Sequence, residues 1–286
     1  MKIEGKKIAS YLEKLLRQEV RLLKKKPKLV TILVGQSPEQ LSYVKIKKKF
    51  AKKLKIGFNF IHLKTTPNFS QLMGQLKTIN DDKTTTGIII QQPLPARLAT
   101  NSIYDYLSLE KEIEGHKRKS PFLPPLGLAV LTILKYIFLN KRIDKNLFVN
   151  FEKDITDLKK IFKNKKVVLV GRGLTGGKPI GETLSAMKIN FLNINSNTIN
   201  PENYFKIADI IITAVGKKVI ESSTLKPGVV LINVGLRKEN GKLKGDYEEK
   251  EVKDIASFYT PTPGGAGPID IIYLYKNLIE AAKLQR

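Results

Sequence analysis

The sequence predicts two α/β domains with parallel sheets. Three observations carry that expectation. Short apolar runs rich in β-branched residues alternate with amphipathic segments. The alternation stops at the Pro-rich turn Pro121 to Pro125 and restarts at Val167. The length of 286 residues is a two-domain length at roughly 150 residues per domain. Strands separated by helices pair in parallel, and sites in such folds lie at the carboxyl ends of the strands.

The first helix is expected near Lys7 to Lys25, where Ile8, Leu12, Leu15, Leu16, Val20 and Leu23 recur at helical spacing and Pro27 ends the run. Leu29 to Val34 reads as a buried strand. Ser37 then caps a helix with Pro38 in its first turn and Gln40 completing a capping box. That helix reaches about Leu54 and Gly57 breaks it. A strand over Phe58 to Leu63, a helix over Ser70 to Ile79 and a strand over Gly87 to Gln91 follow, the last entering the turn Gln92-Pro93-Leu94-Pro95. A helical stretch, Leu126 to Leu139, opens the second half. Asn140 to Lys166 is polar and is expected as surface helix and loop. Then come a strand at Val167 to Val170 and a helix at Gly177 to Met187. Three more strands fit Phe191 to Ile194, Ile210 to Ala214 and Val229 to Val234, and a last helix fits Ile269 to Lys283. Pro261 to Pro268 is too rich in Gly and Pro for regular structure, and its backbone can approach a ligand closely.

Composition excludes several classes. Lys and Arg number 51 against 26 Asp and Glu, a formal charge of 51 − 26 = +25. The lysines are dispersed, apart from Lys45 to Lys55 and Lys24 to Lys28, and no zinc finger, RNP-type motif or Arg-rich arm accompanies them. Nucleic acid is therefore an unlikely partner despite the basic charge, and solvated lysine faces are the plainer account. With no Cys and only His62 and His116, no disulfide, thiolate nucleophile or metal centre is expected, and a reducing, cytoplasmic setting fits. No signal-peptide core precedes Leu16. The longest apolar stretch, Gly127 to Leu139, carries Lys135 and is too short to span a bilayer, so no membrane partner is expected.

Val167 to Val170 leads into Gly171-Arg172-Gly173-Leu174-Thr175-Gly176, a G-x-G-x-x-G between a strand and a helix. In that context the motif predicts a Rossmann-type dinucleotide site, with the glycines allowing a tight turn and amides at the helix start holding a phosphate. An NAD site places an acid about 20 residues further on. Phe191 to Thr198 contains none, whereas Arg172, Ser196 and Thr198 suit a 2′-phosphate, so NADP is the expected cofactor.

Tyr43 and Lys47 are four residues apart on one helix and share a face. A lysine base needs its amine shifted from about 10.4 to roughly 7–8, which burial and cationic neighbours favour. On spacing alone a solvated lysine face is the plainer reading.

Taken together, Tyr43-Val44-x-x-Lys47, Gln91-Gln92-Pro93-Leu94-Pro95, Gly171 to Pro179 and Pro261 to Pro268 resemble the bifunctional methylenetetrahydrofolate dehydrogenase/cyclohydrolase (FolD) family. Ile3 to Ala9 and Ala214 to Lys217 resemble it too, and the likeness runs in order along nearly the whole chain. It implies a catalytic, folate-binding domain over 1–120, completed by a C-terminal helix 268–286, and an NADP-binding domain over 121–267, with the active-site cleft between them. It implies NADP-dependent oxidation of 5,10-methylenetetrahydrofolate to the 5,10-methenyl compound and hydrolysis of that to 10-formyltetrahydrofolate, a place in one-carbon metabolism and purine biosynthesis, and a homodimer. By resemblance, Lys47 is the main catalytic group, Tyr43 packs on the reduced folate, Gln91 contacts Lys47, Glu114 binds the pterin ring, and Pro263, Gly264 and Gly265 line the folate site. Gly171, Arg172, Gly173, Ser196 and Leu236 match positions around NADP.

The chain departs from the family pattern in places. Glu112-Ile113-Glu114-Gly115 stands for Asp-x-Asp-Gly, Gln92 for Leu, Gly173 for Ser, Leu123-Pro124-Pro125 for Cys-Thr-Pro, and Asp270 for Thr. The rival classes are a monofunctional dehydrogenase, a cofactor-binding homologue that has lost catalysis, and a nucleic-acid binder. Retention of Tyr43, Lys47 and Gln91 argues against lost catalysis, and a salt titration separates the nucleic-acid binder.

Overall fold

Ile8, Leu12, Leu16 and Val20 recur every fourth residue and are all buried, the pattern that makes α1, Gly5–Leu22, an amphipathic helix. The computed structural model describes residues 1–285. The chain forms two units: Glu13–Pro125 with Ile271–Arg286, and Met1–Leu12 with Leu126–Asp270. One boundary therefore falls inside α1.

In the first unit, β1, Lys28–Val34, has six of its seven residues buried, as a strand covered on both faces requires. α2, Pro38–Leu54, leads to β2, Gly57–Leu63. α3, Phe69–Asp81, leads to β3, Gly87–Ile90. The strands form a parallel sheet in the order β2-β1-β3, with Val34 opposite Leu63 and Ile32 opposite Ile90. Val30, Ile32, Ile88 and Ile90 pack on Leu72 and Leu76 of α3.

Two expectations at the ends of α2 are corrected. Ser37 does cap the helix, its side chain accepting from Gln40 N at 3.3 Å, but the Gln40 amide does not close a capping box. It donates instead to the Pro93 carbonyl at 2.7 Å, a tertiary bond that ties the start of α2 to the turn after β3. A reciprocal box forms at α3, between Asn68 and Gln71. At the other end α2 stops through Lys55, whose backbone is left-handed at φ 58°, and Gly57 opens β2 rather than breaking the helix.

In the second unit, α4, Pro125–Lys135, runs into a wide final turn over Tyr136–Asn140. α5, Phe151–Phe162, follows. It is less a surface element than its composition suggests. Leu158 and Phe162 are buried, and the buried Lys135 bonds both the Asp154 carboxylate at 2.6 Å and the Phe148 carbonyl at 3.1 Å, which pins the connection to α4. β4, Val167–Val170, α6, Gly177–Ala186, β5, Leu192–Ile194, α7, Glu202–Phe205, and β6, Ile210–Thr213, continue the alternation. β7, Val230–Asn233, follows. β8, Arg237–Glu239, and β9, Lys242–Lys244, are an antiparallel hairpin over the two-residue turn Asn240-Gly241. α8, Glu249–Val252, and β10, Phe258–Tyr259, complete the unit. Its main sheet is wholly parallel, in the order β10-β7-β6-β4-β5.

α9, Ala266–Leu284, starts earlier than expected and takes in Ala266, Gly267 and Pro268. Pro268 is tolerated because an amide in the first turn has no partner inside the helix.

Candidate functional site

β3 ends at Ile90, and Gln91 follows with its own amide bonded to the Ile32 carbonyl at 2.9 Å. This continues the ladder by one residue and fixes where the Gln91 side chain leaves the sheet. Its Oε1 accepts from Lys47 Nζ at 3.0 Å, and its Nε2 donates to the Gln92 carbonyl at 3.0 Å. Lys47, on α2, is 7% exposed. The helix turn beneath it is held by Tyr275 of α9, whose hydroxyl donates to the Lys47 carbonyl at 2.7 Å. Tyr43, one turn earlier, is 41% exposed, so a ring and an amine lie on one helix face, the ring facing outward.

Glu114 supplies the third side of this group. Its Oε1 lies 3.8 Å from Lys47 Nζ and its Oε2 lies 4.0 Å from His116 Nε2. The loop that carries it is organised by Glu112, which is 1% exposed. The Glu112 carboxylate accepts from the amides of Glu114 at 2.9 Å and His116 at 2.8 Å. Burial pushes the Glu112 carboxyl above the usual carboxylate range; the nearby His116 opposes the shift and the Glu114 charge adds to it. Tyr104 stacks on the His116 ring at 4.6 Å, and burial, with the Glu114 charge next, raises its phenol well above the ordinary range. Lys47, Gln91 and Glu114 thus converge as expected. Glu112 enters the sequence pattern only as the first acid of Glu112-Ile113-Glu114-Gly115, with no role given to it, and the one signal for His116 and Tyr104 was their closeness to Glu114 and Gln92.

In the second unit, Gly171 follows β4 with φ 113°, and its amide bonds the Ile194 carbonyl at 2.8 Å. A Cβ on Gly177, the first residue of α6, would stand 2.1 Å from the Gly171 carbonyl oxygen. The helix start therefore approaches the turn more closely than any other residue would allow, and Gly177, read only as a helix start, is as much part of the motif as Gly171. Gly173 differs, since its missing Cβ meets open space, and nothing in the protein demands glycine there. Space at that point leaves room for a ligand along the backbone. The exposed Arg172 donates from Nε to Asn193 Oδ1 at 2.8 Å, and Asn193 Nδ2 donates to the Gly171 carbonyl at 2.8 Å. Asn193 thus aims the guanidinium from β5, a role that sequence reading missed. Ser196 is exposed just beyond β5, and Leu236 is exposed after β7. No acid ends β5, so the residues present fit a phosphorylated ribose better than a bare diol.

Buried Asp246 holds the next loop, accepting from the amides of Val215 at 3.0 Å and Gly216 at 2.9 Å, and burial raises its carboxyl above the usual range. Pro263, Gly264 and Gly265 lie in this second unit against the start of α1, where the Gly264 carbonyl accepts from Lys6 N at 3.1 Å. Among the described residues no group of three or more His, Cys, Asp or Glu could hold a metal ion, and no helix is long and apolar enough to cross a membrane.

A parallel sheet with a glycine turn against a helix start in one unit, and a buried lysine bonded to a glutamine in the other, define a dinucleotide-dependent enzyme of two α/β domains. Residues 3–114 match the catalytic domain of tetrahydrofolate dehydrogenase/cyclohydrolase, and residues 154–286 match its NAD(P)-binding domain. The chain belongs to the tetrahydrofolate dehydrogenase/cyclohydrolase family. It is 33% identical to a bifunctional protein FolD of Staphylococcus epidermidis and 32% identical to that of Staphylococcus carnosus, in each case over 99% of this chain and 97% of the relative. Among solved structures it resembles the bifunctional FolD of Campylobacter jejuni, with a TM-score of 0.85 and 27% identity over 99% of this chain and 98% of that one.

Proposed function

We propose that Lys47, held by Gln91 and flanked by Glu114 and Tyr43, is the main catalytic group of this bifunctional enzyme, above all in its hydrolytic step. The chain oxidises 5,10-methylenetetrahydrofolate to 5,10-methenyltetrahydrofolate and hydrolyses that to 10-formyltetrahydrofolate. The observation that carries the assignment is the bond from the buried Lys47 Nζ to Gln91 Oε1 at 3.0 Å. An exposed lysine face would leave that amine in water.

In the oxidation, NADP supplies the hydride acceptor when bound. The bridging carbon loses a hydride and becomes a cation shared by two nitrogens, so the protein need not supply a strong base. Tyr43 packs on the folate and Glu114 accepts from the pterin's ring donors, fixing the carbon that reacts. In the hydrolysis a water oxygen bonds to that carbon and gives one proton to Lys47 Nζ. The remaining hydroxyl proton then moves to N5 as the bond from the carbon to N5 breaks, which leaves the formyl group on N10 and the first proton on Lys47. Gln91 orients the amine throughout by accepting one of its hydrogens.

The same reading assigns 1–120 with the C-terminal helix to folate and catalysis, and 121–267 to NADP. Pro263, Gly264 and Gly265 line the folate, and Gly171, Arg172, Gly173, Ser196 and Leu236 surround NADP. Arg172, set by Asn193 and with no competing acid, supports NADP over NAD. The enzyme works as a homodimer in the cytoplasm. Exposed Leu192 and Ile207 near the edge strand β5, at 44% and 47% exposure, support a partner on the cofactor unit. The test is NADPH formation with methylenetetrahydrofolate, together with the decay of methenyltetrahydrofolate absorbance, in the parent and in Lys47→Met. Both activities in the parent and loss of the second in the variant are expected. A parent without NADPH formation overturns the assignment.

A further inference from the structure

We propose that His116 is a positioning residue that centres the Glu114 carboxylate between itself and Lys47 and so presents it to the pterin ring. The proposal rests on the reading of Glu114 as the pterin's acceptor.

The Glu114 oxygens are divided between two nitrogens, Oε1 at 3.8 Å from Lys47 Nζ and Oε2 at 4.0 Å from His116 Nε2. Both separations exceed hydrogen-bond reach, about 3.2 Å for a nitrogen donor. The carboxylate therefore stands between the two nitrogens while its lone pairs remain open to a ligand. Its side chain is 21% exposed, against 8% for Lys47 and 19% for His116, so a ligand can reach it. Without a nitrogen on the His116 side, the attraction to Lys47 is unopposed. One rotation of the glutamate arm would close the gap to a plain ion pair and spend the acceptor on the wrong donor.

His116 is itself held at two points, one of them braced in turn by Gln92. Its amide donates to Glu112 Oε2 at 2.8 Å, the same carboxylate that fixes the Glu114 amide. Its ring stacks on Tyr104 with 29° between the planes. The Tyr104 hydroxyl accepts from Gln92 Nε2 at 3.0 Å, and Gln92 Oε1 accepts from the Leu94 amide at 3.1 Å. Two neighbouring glutamines thus serve the two flanks of Glu114. Gln91 holds Lys47, and Gln92, through Tyr104, holds His116. A glutamate has one more rotatable bond than an aspartate and needs more restraint to keep one geometry.

The experiment compares the parent, His116→Phe, Glu114→Gln and the double variant, with NADP saturating. Phe keeps a ring against Tyr104 and removes the nitrogens. His116→Phe should raise the KM for methylenetetrahydrofolate about 5-fold, equivalent to about 1 kcal/mol. It should leave kcat within about twofold and leave the KM for NADP unchanged. In the Glu114→Gln background the same substitution should change that KM by less than about twofold, because the group it acts through is gone. Should His116→Phe fail to fold, Gln92→Leu carries the same comparison, with a smaller rise of about twofold in the parent background and none in Glu114→Gln. An unchanged folate KM in His116→Phe, where Glu114→Gln raises it, overturns the positioning role alone. Equal factors in both backgrounds also overturn it, since His116 would then act on something other than Glu114. No effect of Glu114→Gln itself removes the underlying reading of that residue, and the role of His116 with it.

Discussion

The Lys47 group and the Gly171 turn both sit just past the carboxyl end of a parallel strand, yet they are made of opposite materials. The first is built from side chains that reach in from α2, from the residue after β3 and from the loop around Glu114. The second is built from side chains that are missing, so that backbone meets backbone across Gly171 and Gly177. In the first, a substitution removes a chemical group and leaves the frame standing. In the second it adds an atom where there is no room, and the frame itself must move.

The sharpest test of that contrast is Lys47→Met, which suits a helix and should leave the unfolding midpoint within a few degrees. Hydrolysis of the methenyl compound should fall by at least about 100-fold, the scale of a lost acid–base group. A variant that melts early would place Lys47 among the structural residues instead. Gly177→Ala tests the opposite side. Its methyl group would meet the Gly171 carbonyl at 2.1 Å, and two backbones cannot part as a flexible side chain can. A loss of about 2–3 kcal/mol is expected from forced overpacking. Thermal melting should show it as a drop of several degrees, along with weaker NADP binding; an unchanged melt would mean that the turn relaxes freely.

Glu114→Gln comes next. An amide replaces one of the carboxylate's two acceptor oxygens with a donor that faces the pterin's own donors, so folate affinity should fall about 10-fold while NADP affinity holds. Titrating each ligand separately distinguishes this from a folding defect, which would weaken both. Arg172→Ala is the smallest and blurs the contrast, being a side chain in the backbone-built site. Its exposed guanidinium should contribute less than about 10-fold to the preference for NADP, and less still at high salt. The ratio of specificity constants for NADP and NAD, measured at two salt concentrations, gives the answer; an unchanged ratio assigns the binding to backbone alone.

The two sites were also legible to different degrees. The glycine turn could be read directly, since close approach of a strand end to a helix start demands residues without Cβ, and that demand is local in sequence. Lys47, Gln91 and Glu114 stand far apart along the chain, so no spacing rule joins them, and only the resemblance to a family did. The same limit explains the misread cap. Ser37 and Gln40 have the right separation for a box, but Gln40 found the Pro93 carbonyl, a partner that no local rule contains. Lys135 and Asp154 are a second case, a buried pair drawn from an apolar helix and a polar segment. The β8–β9 hairpin was missed although Asn240-Gly241 marks it, because its flanks are charged rather than alternating. The start of α9 was hidden by the glycines and prolines around it, which rule out the middle of a helix but not its first turn.

The pairing of the first residues with β10 sets a timetable for synthesis. Ile3 donates to the Tyr259 carbonyl at 2.8 Å, and the Tyr259 amide donates to the carbonyl of Met1 at 3.0 Å. These residues bond to one made more than 250 positions later. At about 5–20 residues per second they wait on the order of 10–50 s for their partner. Over that interval Glu13–Pro125 can begin to collapse, while the other unit stays open at both ends of its chain. A nascent chain halted before Tyr259 should therefore remain open to protease at its amino terminus, and one released beyond the tunnel should become protected there and at β10 in the same step.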